Sequence, residues 1–378
     1  MLAFQRVAWL LASMSSAARH MKLDPVQWVS KRDSSLPLWI ENYCGEVVYP
    51  AILTQAGSGP SATGFRLNPG DLQRFTVRPN PPGGANGNGA ACLTGDCGGV
   101  VKCTLAGWPP ATLAEFNLKT SSGQAFYDIS LVDGYNLPMG VFNLFNQTNN
   151  PHLRDIPPNL TNPICIGSPG LLTNPSNAPD KYLGTNTTYP IPLEQQNSVG
   201  DVSKWCPWDL QVLPPSKPAN GVYPYPDDSI DRPAFAPCYS ACAKSGSPSD
   251  CCTGSYGSPS TCHPSTYSRN AKAMCPDAYS YAYDDQTSTF IVPQGGGFGV
   301  AFCPLGRSSN ILATMGKQLQ AIASRGDALQ TQSRIRHNNT APASSEAVTL
   351  LSQGMGFTCL ALLTTIVVVL ISARIAKM

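Results

Sequence analysis

An all-β fold, a sandwich or barrel cross-linked by disulfides, is the fold class this sequence predicts, and three observations predict it. The 378 residues include 35 Pro and 33 Gly but only 13% charged residues. That composition favours many short strands and turns over long helices, which draw on Ala, Leu, Glu and Lys. Short alternating or apolar runs alternate with Gly, Pro and Asn clusters, the spacing of a sandwich or barrel. Fourteen cysteines are dense for a cytosolic chain and point to an oxidising compartment.

Taken in order, residues 1–18 combine the basic Arg6, a short apolar run and small residues, the pattern of a signal peptide. The globular domain is expected over 36–305. Its candidate strands lie in Leu38 to Val48, Gln73 to Val77, Thr112 to Leu118, Ala125 to Val132 and Phe298 to Phe302. The Pro, Gly and Asn-rich stretches 78–90 and 149–200 read as extended surface loops. Six cysteines between Cys238 and Cys275 mark a segment too small for its own core, so a disulfide-rich subdomain is expected over about 206–275.

Residues 306–353, rich in Ser, Asn, Ala and Gln, read as a stalk or linker, although Ile311, Met315, Leu319 and Ile322 fall on one helical face. Residues 354–373 carry no charge. That length crosses a hydrocarbon core as a helix, and Arg374 and Lys377 behind it favour a cytoplasmic end. A removable lipid-anchor signal is the competing reading, because Ala343, Ser344 and Ser345 precede a polar spacer and an apolar tail. Sequons begin at Asn146, Asn159, Asn186 and Asn338, which together with the cysteines indicate the secretory route. The expected location is the extracellular face of the plasma membrane, with the membrane contacted through the C-terminal segment.

The net charge of +2 hides a segregation. Residues 36–305 hold 19 acidic and 13 basic residues, a net −6, which does not suit nucleic-acid phosphates. Only His152 and His263 lie inside the domain, and no paired Cys-x-x-Cys units occur, so neither a metal site nor a cofactor is expected. No phosphate-cradling glycine loop and no serine or cysteine nucleophile paired with histidine is visible.

Several long motifs stand in order: Cys92-Leu-Thr-Gly-Asp-Cys97-Gly, Pro110-Ala-Thr-Leu-Ala-Glu115-Phe, and Phe126-Tyr-Asp128-Ile-Ser-Leu-Val-Asp133-Gly-Tyr-Asn136-Leu-Pro138-Met. Later come Cys251-Cys252, Cys275-Pro-Asp-Ala-Tyr-Ser-Tyr-Ala-Tyr-Asp284-Asp285 and Phe302-Cys303-Pro304. With these pieces the chain resembles the thaumatin-like (osmotin-like) family from about Leu36 to Pro304. The resemblance implies a β-sandwich core with disulfide-rich loop subdomains. It implies the pairs Cys44–Cys303, Cys97–Cys103, Cys165–Cys275, Cys206–Cys238, Cys242–Cys251 and Cys252–Cys262. Three family cysteines have no counterpart, one of them replaced by Val292, and Cys92 is left as the one thiol of the domain.

The resemblance also implies a cleft lined by acids, matched here by Glu115, Asp128, Asp133 and Asp284. The family's cleft arginine falls in a segment this chain has shortened after Val77, where Arg78 is nearest. Clustered carboxylates accept hydrogen bonds from sugar hydroxyls and attract basic peptides. The implied function is an extracellular, defence-type protein that binds β-1,3-glucan or a related cell-wall polysaccharide. A weak endo-β-1,3-glucanase using Glu115 with Asp128 or Asp133 is one alternative. An ectodomain that binds a surface protein without sugar chemistry is another. The residues themselves leave a plainer reading open, in which these acids cap turns. Strand parity sets Asp128 and Asp133 on opposite faces unless the Asp133-Gly134 turn intervenes. Tyr127, Tyr135, Tyr279, Tyr281 and Tyr283 are candidate stacking residues, or core.

Overall fold

The computed structural model describes residues 36–325, apart from 55–58, 61, 78–91, 98–99, 104–106, 119, 121–122, 146–150, 155, 173–196 and 215–236, together with 366–369 and 371–373. The signal segment 1–18, Arg78, and the sequons at Asn146, Asn186 and Asn338 lie outside the described residues. Asn159 lies within a short 3-10 turn, Pro158–Leu160.

The strands are β1 (Leu36–Asn42), β2 (Val48–Pro50), β3 (Leu53–Thr54), β4 (Leu72–Val77), β5 (Leu113–Asn117), β6 (Gln124–Ser130), β7 (Met139–Asn143), β8 (Ile164–Cys165), β9 (Phe290–Pro293), β10 (Phe298–Phe302), β11 (Ile366–Val369) and β12 (Ile371–Ala373). One sheet runs in the order β4-β1-β10-β7-β8 and the other β3-β11-β5-β6-β9, with β12 and β2 as a separate pair. Among these pairings only β1 with β10 is parallel. The first and last strands of the domain therefore lie side by side, and Cys44–Cys303 joins them just past their ends.

The period-2 alternation of strands builds the layer between the sheets. In β1, Leu38, Ile40 and Asn42 are buried, whereas Trp39 and Glu41 alternate outward and Arg74 lies 5.0 Å over the Trp39 ring. From the facing sheet, Phe116 and Tyr127 bring their rings to 4.8 and 5.1 Å from Phe298, separations at which aromatic pairs attract. The Tyr127 hydroxyl donates to the Thr161 carbonyl and accepts from Asn143, so a core phenol remains satisfied.

The cystine-rich part follows from local chemistry. Helices Ala241–Ser245, Pro248–Cys251 and Thr266–Met274 each start behind a serine, and Ser240, Ser247 and Ser265 accept the backbone N–H groups of Ala243, Asp250 and Ser268. Such caps satisfy donors that a short helix leaves open. Cys251 and Cys252 pair apart, with Cys242 and Cys262 respectively. The left-handed conformation at Cys252, φ 54°, ends the helix and divides the two sulfurs between partners. Cys206–Cys238 and Cys165–Cys275 complete this part, and Cys97–Cys103 closes a small loop elsewhere. The six disulfides are the pairs that the family resemblance implies, and Cys92 stands outside them.

One expectation is corrected. The stretch read as a stalk from residue 306 begins as part of the domain. The hydroxyls of Ser309 and Ser308 accept the N–H groups of Ile164 and Ile166, both at 2.9 Å. The Asp277 carboxylate accepts those of Ile311 at 2.8 Å and Leu312 at 2.9 Å, at the start of helix Ile311–Thr314. Helical residues resume over 316–325. Ile311 and Ile322 are buried, Met315 and Leu319 pack on the core, and Gln124 donates to the Ala323 carbonyl. The apolar face outweighs the polar composition, which is why this segment docks. Residues 326–353 lie outside the described residues.

The segment 354–373, expected as a membrane-crossing helix or an anchor signal, is described only at 366–369 and 371–373. Its described residues are strands: β11 pairs with β3 and β5, and β12 with β2. No helix among the described residues is long and apolar enough to cross a membrane. The run from Ile366 is dominated by β-branched Ile and Val, which favour extended backbone. In this arrangement it occupies the edge of β5 opposite β6, an edge that otherwise presents open backbone groups.

Candidate functional site

Strands β5 and β6 pair antiparallel, with Ala114 opposite Ile129, Glu115 opposite Asp128 and Phe116 opposite Tyr127. Ala114, Phe116, Tyr127 and Ile129 belong to the core. Alternation therefore turns Glu115 and Asp128 together onto the other face of the sheet. Direct cross-strand partners hold their Cβ atoms about 4.5–5.5 Å apart. Asp128 is 9% exposed and Glu115 half-buried, and Glu115 Oε1 and Asp128 Oδ1 are shielded from solvent. Two carboxylates directly opposite each other repel where both are ionised.

Asp133 follows on the same strand, past its end. β6 stops at Ser130, and the Gly134 N–H returns to the Leu131 carbonyl at 3.0 Å, closing a turn across Val132 and Asp133. Gly134 has φ +106°, and a Cβ there would meet the Cys238 carbonyl and Pro110, so this turn needs glycine. Because the turn interrupts the strand, parity no longer separates Asp133 from Asp128. The Asp133 carbonyl receives the Ala111 N–H at 3.4 Å. The Tyr267 hydroxyl donates to the Leu131 carbonyl at 2.8 Å. Burial first, and then the nearby Asp133 charge, push the Tyr267 phenol well above its ordinary value. A small cavity of about 20 Å³ between Val132, Cys242, Tyr267 and Tyr281 separates this turn from the cystine-rich part.

Asp284 is differently employed. Its Oδ2 accepts from the Ser280 N–H at 3.0 Å and the Ser280 hydroxyl at 2.9 Å, and pairs with Lys272 at 3.2 Å. Its Oδ1 accepts from Thr287 at 2.6 Å. Both oxygens thus hold the 280–287 loop together. Lys272 donates further to the carbonyls of Ala278 and Thr287. Burial lowers the Lys272 pKa, and the Asp284 charge opposes that shift. Among the tyrosines, Tyr127 and Tyr135 are fully buried and Tyr279 nearly so, whereas Tyr281 and Tyr283 are half-buried. Burial first, and then the Asp128 charge, raise the phenol of Tyr279, which borders β6 through hydrogen bonds to Ile129 and Leu131.

Sequence reasoning passed over Asp277, which sits in the Cys-Pro-Asp motif. It is 1% exposed, and burial raises its carboxyl above the usual range despite the N–H groups of Ile311 and Leu312. Its signal was positional: an acid directly behind a bridged cysteine, with a docking helix to cap. Among the described residues, no three His, Cys, Asp or Glu side chains converge on a point that a metal ion could hold. A cavity of about 240 Å³, lined by Asn197, Asp201, Trp205, Asn270 and Met274, contains none of the four predicted acids. Glu115 and Asp128 share the face of this sheet turned away from the Phe116 and Tyr127 rings, and Asp128 is nearly buried on it. Such a face offers paired acceptors to hydroxyl donors, and two carboxyl groups at this ladder spacing are also the raw material of acid and nucleophile chemistry on a glycoside.

The comparisons agree with this architecture. The Thaumatin family model matches residues 42–304. "Pathogenesis-related protein 5" of Arabidopsis thaliana is 35% identical over 277 residues, covering 70% of this chain and 89% of that protein. "Glucan endo-1,3-beta-glucosidase" of Prunus avium is 34% identical over 277 residues, covering 70% and 89%. "PR5-like receptor kinase" of Arabidopsis thaliana is 32% identical over 278 residues, 70% of this chain but only 33% of that protein. A model match across most of the chain, joined to the paired sheets and six disulfides, leads to one conclusion: this chain belongs to the thaumatin family.

Proposed function

We propose that this protein is an extracellular, defence-type member of its family that binds β-1,3-glucan or a related cell-wall polysaccharide on the face carrying Glu115 and Asp128. The carrying observation is the direct cross-strand pairing of those two acids. The fold holds two acceptors side by side despite their repulsion, and sugar hydroxyls answer both. Asp133 extends the same end of the strand, whereas Asp284 serves its own loop.

A second reading, weak hydrolysis of β-1,3-glucan, draws support from the same geometry and from the name of the Prunus avium relative. Retaining glycosidases hold their two carboxyls about 5–5.5 Å apart, a separation that side chains on direct cross-strand partners can reach. In that reading Glu115 protonates the leaving oxygen while Asp128 attacks the anomeric carbon.

The test is retention on insoluble β-1,3-glucan. The wild-type chain is expected to bind, and Glu115→Gln/Asp128→Asn to lose at least tenfold in affinity, on the order of 1.4 kcal/mol. Equal retention by that variant removes this face from the account. Reducing-sugar release from laminarin that disappears in Glu115→Gln supports hydrolysis, and absence of release in the wild type between about pH 4 and 7 excludes it.

A further inference from the structure

We infer that Trp108 is an aromatic platform for a glucose ring, extending the acidic face into a longer binding surface for β-1,3-linked glucan. The inference rests on the glucan reading above and deepens it by naming a contact outside the acid set. Trp108 is 74% exposed, the most exposed large apolar side chain among the described residues. An indole left in water forgoes the burial that aromatic side chains ordinarily gain. Its exposed ring face is available to a ligand.

Trp108 does not sit on a loose tip. Its N–H donates to the Asp96 carbonyl at 2.7 Å, and its carbonyl accepts the Gly95 N–H at 3.0 Å. The two segments lie so close that a Cβ at Gly107 would fall 2.1 Å from the Gly95 carbonyl oxygen. The partner segment is itself anchored, since Thr94 Oγ1 accepts from Asn136 at 3.3 Å and Cys97 is bridged to Cys103. A side chain presented from a pinned backbone binds with less ordering cost.

The same segment leads to the backbone of the Asp133 turn. Pro110 packs against Gly134, and the Ala111 N–H meets the Asp133 carbonyl. Trp108 is three residues before Ala111, so the chain holds it within about 10 Å of that contact. A short oligosaccharide spans that interval. Leu93, also exposed at 39%, stands on the paired segment two residues before Gly95. Sugar rings present apolar C–H faces and a rim of hydroxyls. They are recognised by an aromatic face combined with nearby acceptors, and this end of the molecule supplies both.

Calorimetric titration with soluble β-1,3-glucan oligosaccharides tests the inference. Trp108→Ala is expected to weaken binding roughly tenfold, as loss of a central aromatic contact does, and Trp108→Phe to keep most of it. The melting temperature should not move, because the side chain packs on little. Tryptophan emission should shift to the blue on binding in the wild type and not in Trp108→Phe. Wild-type affinity and an unchanged emission response in these variants overturn the platform while leaving the acid pair standing. If the wild type binds none of these oligosaccharides, or if only a protein partner is sensitive to Trp108→Ala, the glucan reading falls and the platform falls with it.

Discussion

Glu115 and Asp128 face each other across β5 and β6, an arrangement that costs roughly what an opposite-charge pair would contribute, about 0.2–1 kcal/mol. Neutralising both as Glu115→Gln/Asp128→Asn should therefore leave stability unchanged or slightly raised while glucan affinity falls. Denaturant unfolding beside the binding assay separates the two effects. Asp284 predicts the reverse. Its oxygens take four contacts from Ser280, Thr287 and Lys272, so Asp284→Ala should lower stability by about 1–3 kcal/mol. Glucan affinity, measured where the variant is still folded, should hold. A lost affinity at unchanged stability would return Asp284 to the site. The acid motif was legible in the sequence because its residues lie in long ordered segments. Which acids share a face was not, since facing depends on strand register and on the turn at Gly134.

At the scale of elements, the helical face formed by Ile311, Met315, Leu319 and Ile322 carried more information than the polar composition around it. The docked segment hangs on Asp277, whose carboxylate caps Ile311 and Leu312. Asp277→Ala is expected to speed hydrogen exchange at those two amides more than at β-strand amides. Burial raises the folded-state pKa of Asp277 above its unfolded value. The stability it contributes is fully present below the unfolded pKa, near 4, and is lost as pH rises through the raised folded value. Protection of Ile311 and Leu312, measured against their intrinsic exchange rates, should fall across that rise, and Asp277→Asn should flatten the dependence. An unchanged pH profile in that variant would mean another group controls the docking. The C-terminal apolar run shows what sequence leaves open, since length and hydropathy suit a span while β-branching suits a strand. Its partner strands β3 and β5 are far away in sequence and invisible to any local pattern.

For the molecule as a whole, covalent closure decides stability. Cys44–Cys303 joins residues 259 positions apart, and closing so long a loop contributes about 5 kcal/mol in the chain-entropy model. The double variant Cys44→Ala/Cys303→Ala should unfold at markedly lower denaturant than Cys97→Ala/Cys103→Ala, whose bridge spans only 6 positions. Similar midpoints would mean that native-state strain, not loop length, sets the values. The disulfide framework and the sheet-rich class were legible because cysteine spacing and strand punctuation are local. The strand order was not, because the parallel pairing of β1 with β10 joins opposite ends of the domain. The most direct measurement is a crystal structure with a bound β-1,3-glucan oligosaccharide. Sugar hydroxyls are expected within hydrogen-bond distance of both Glu115 and Asp128, and a sugar seated elsewhere, with neither carboxylate touched, would contradict the proposed site.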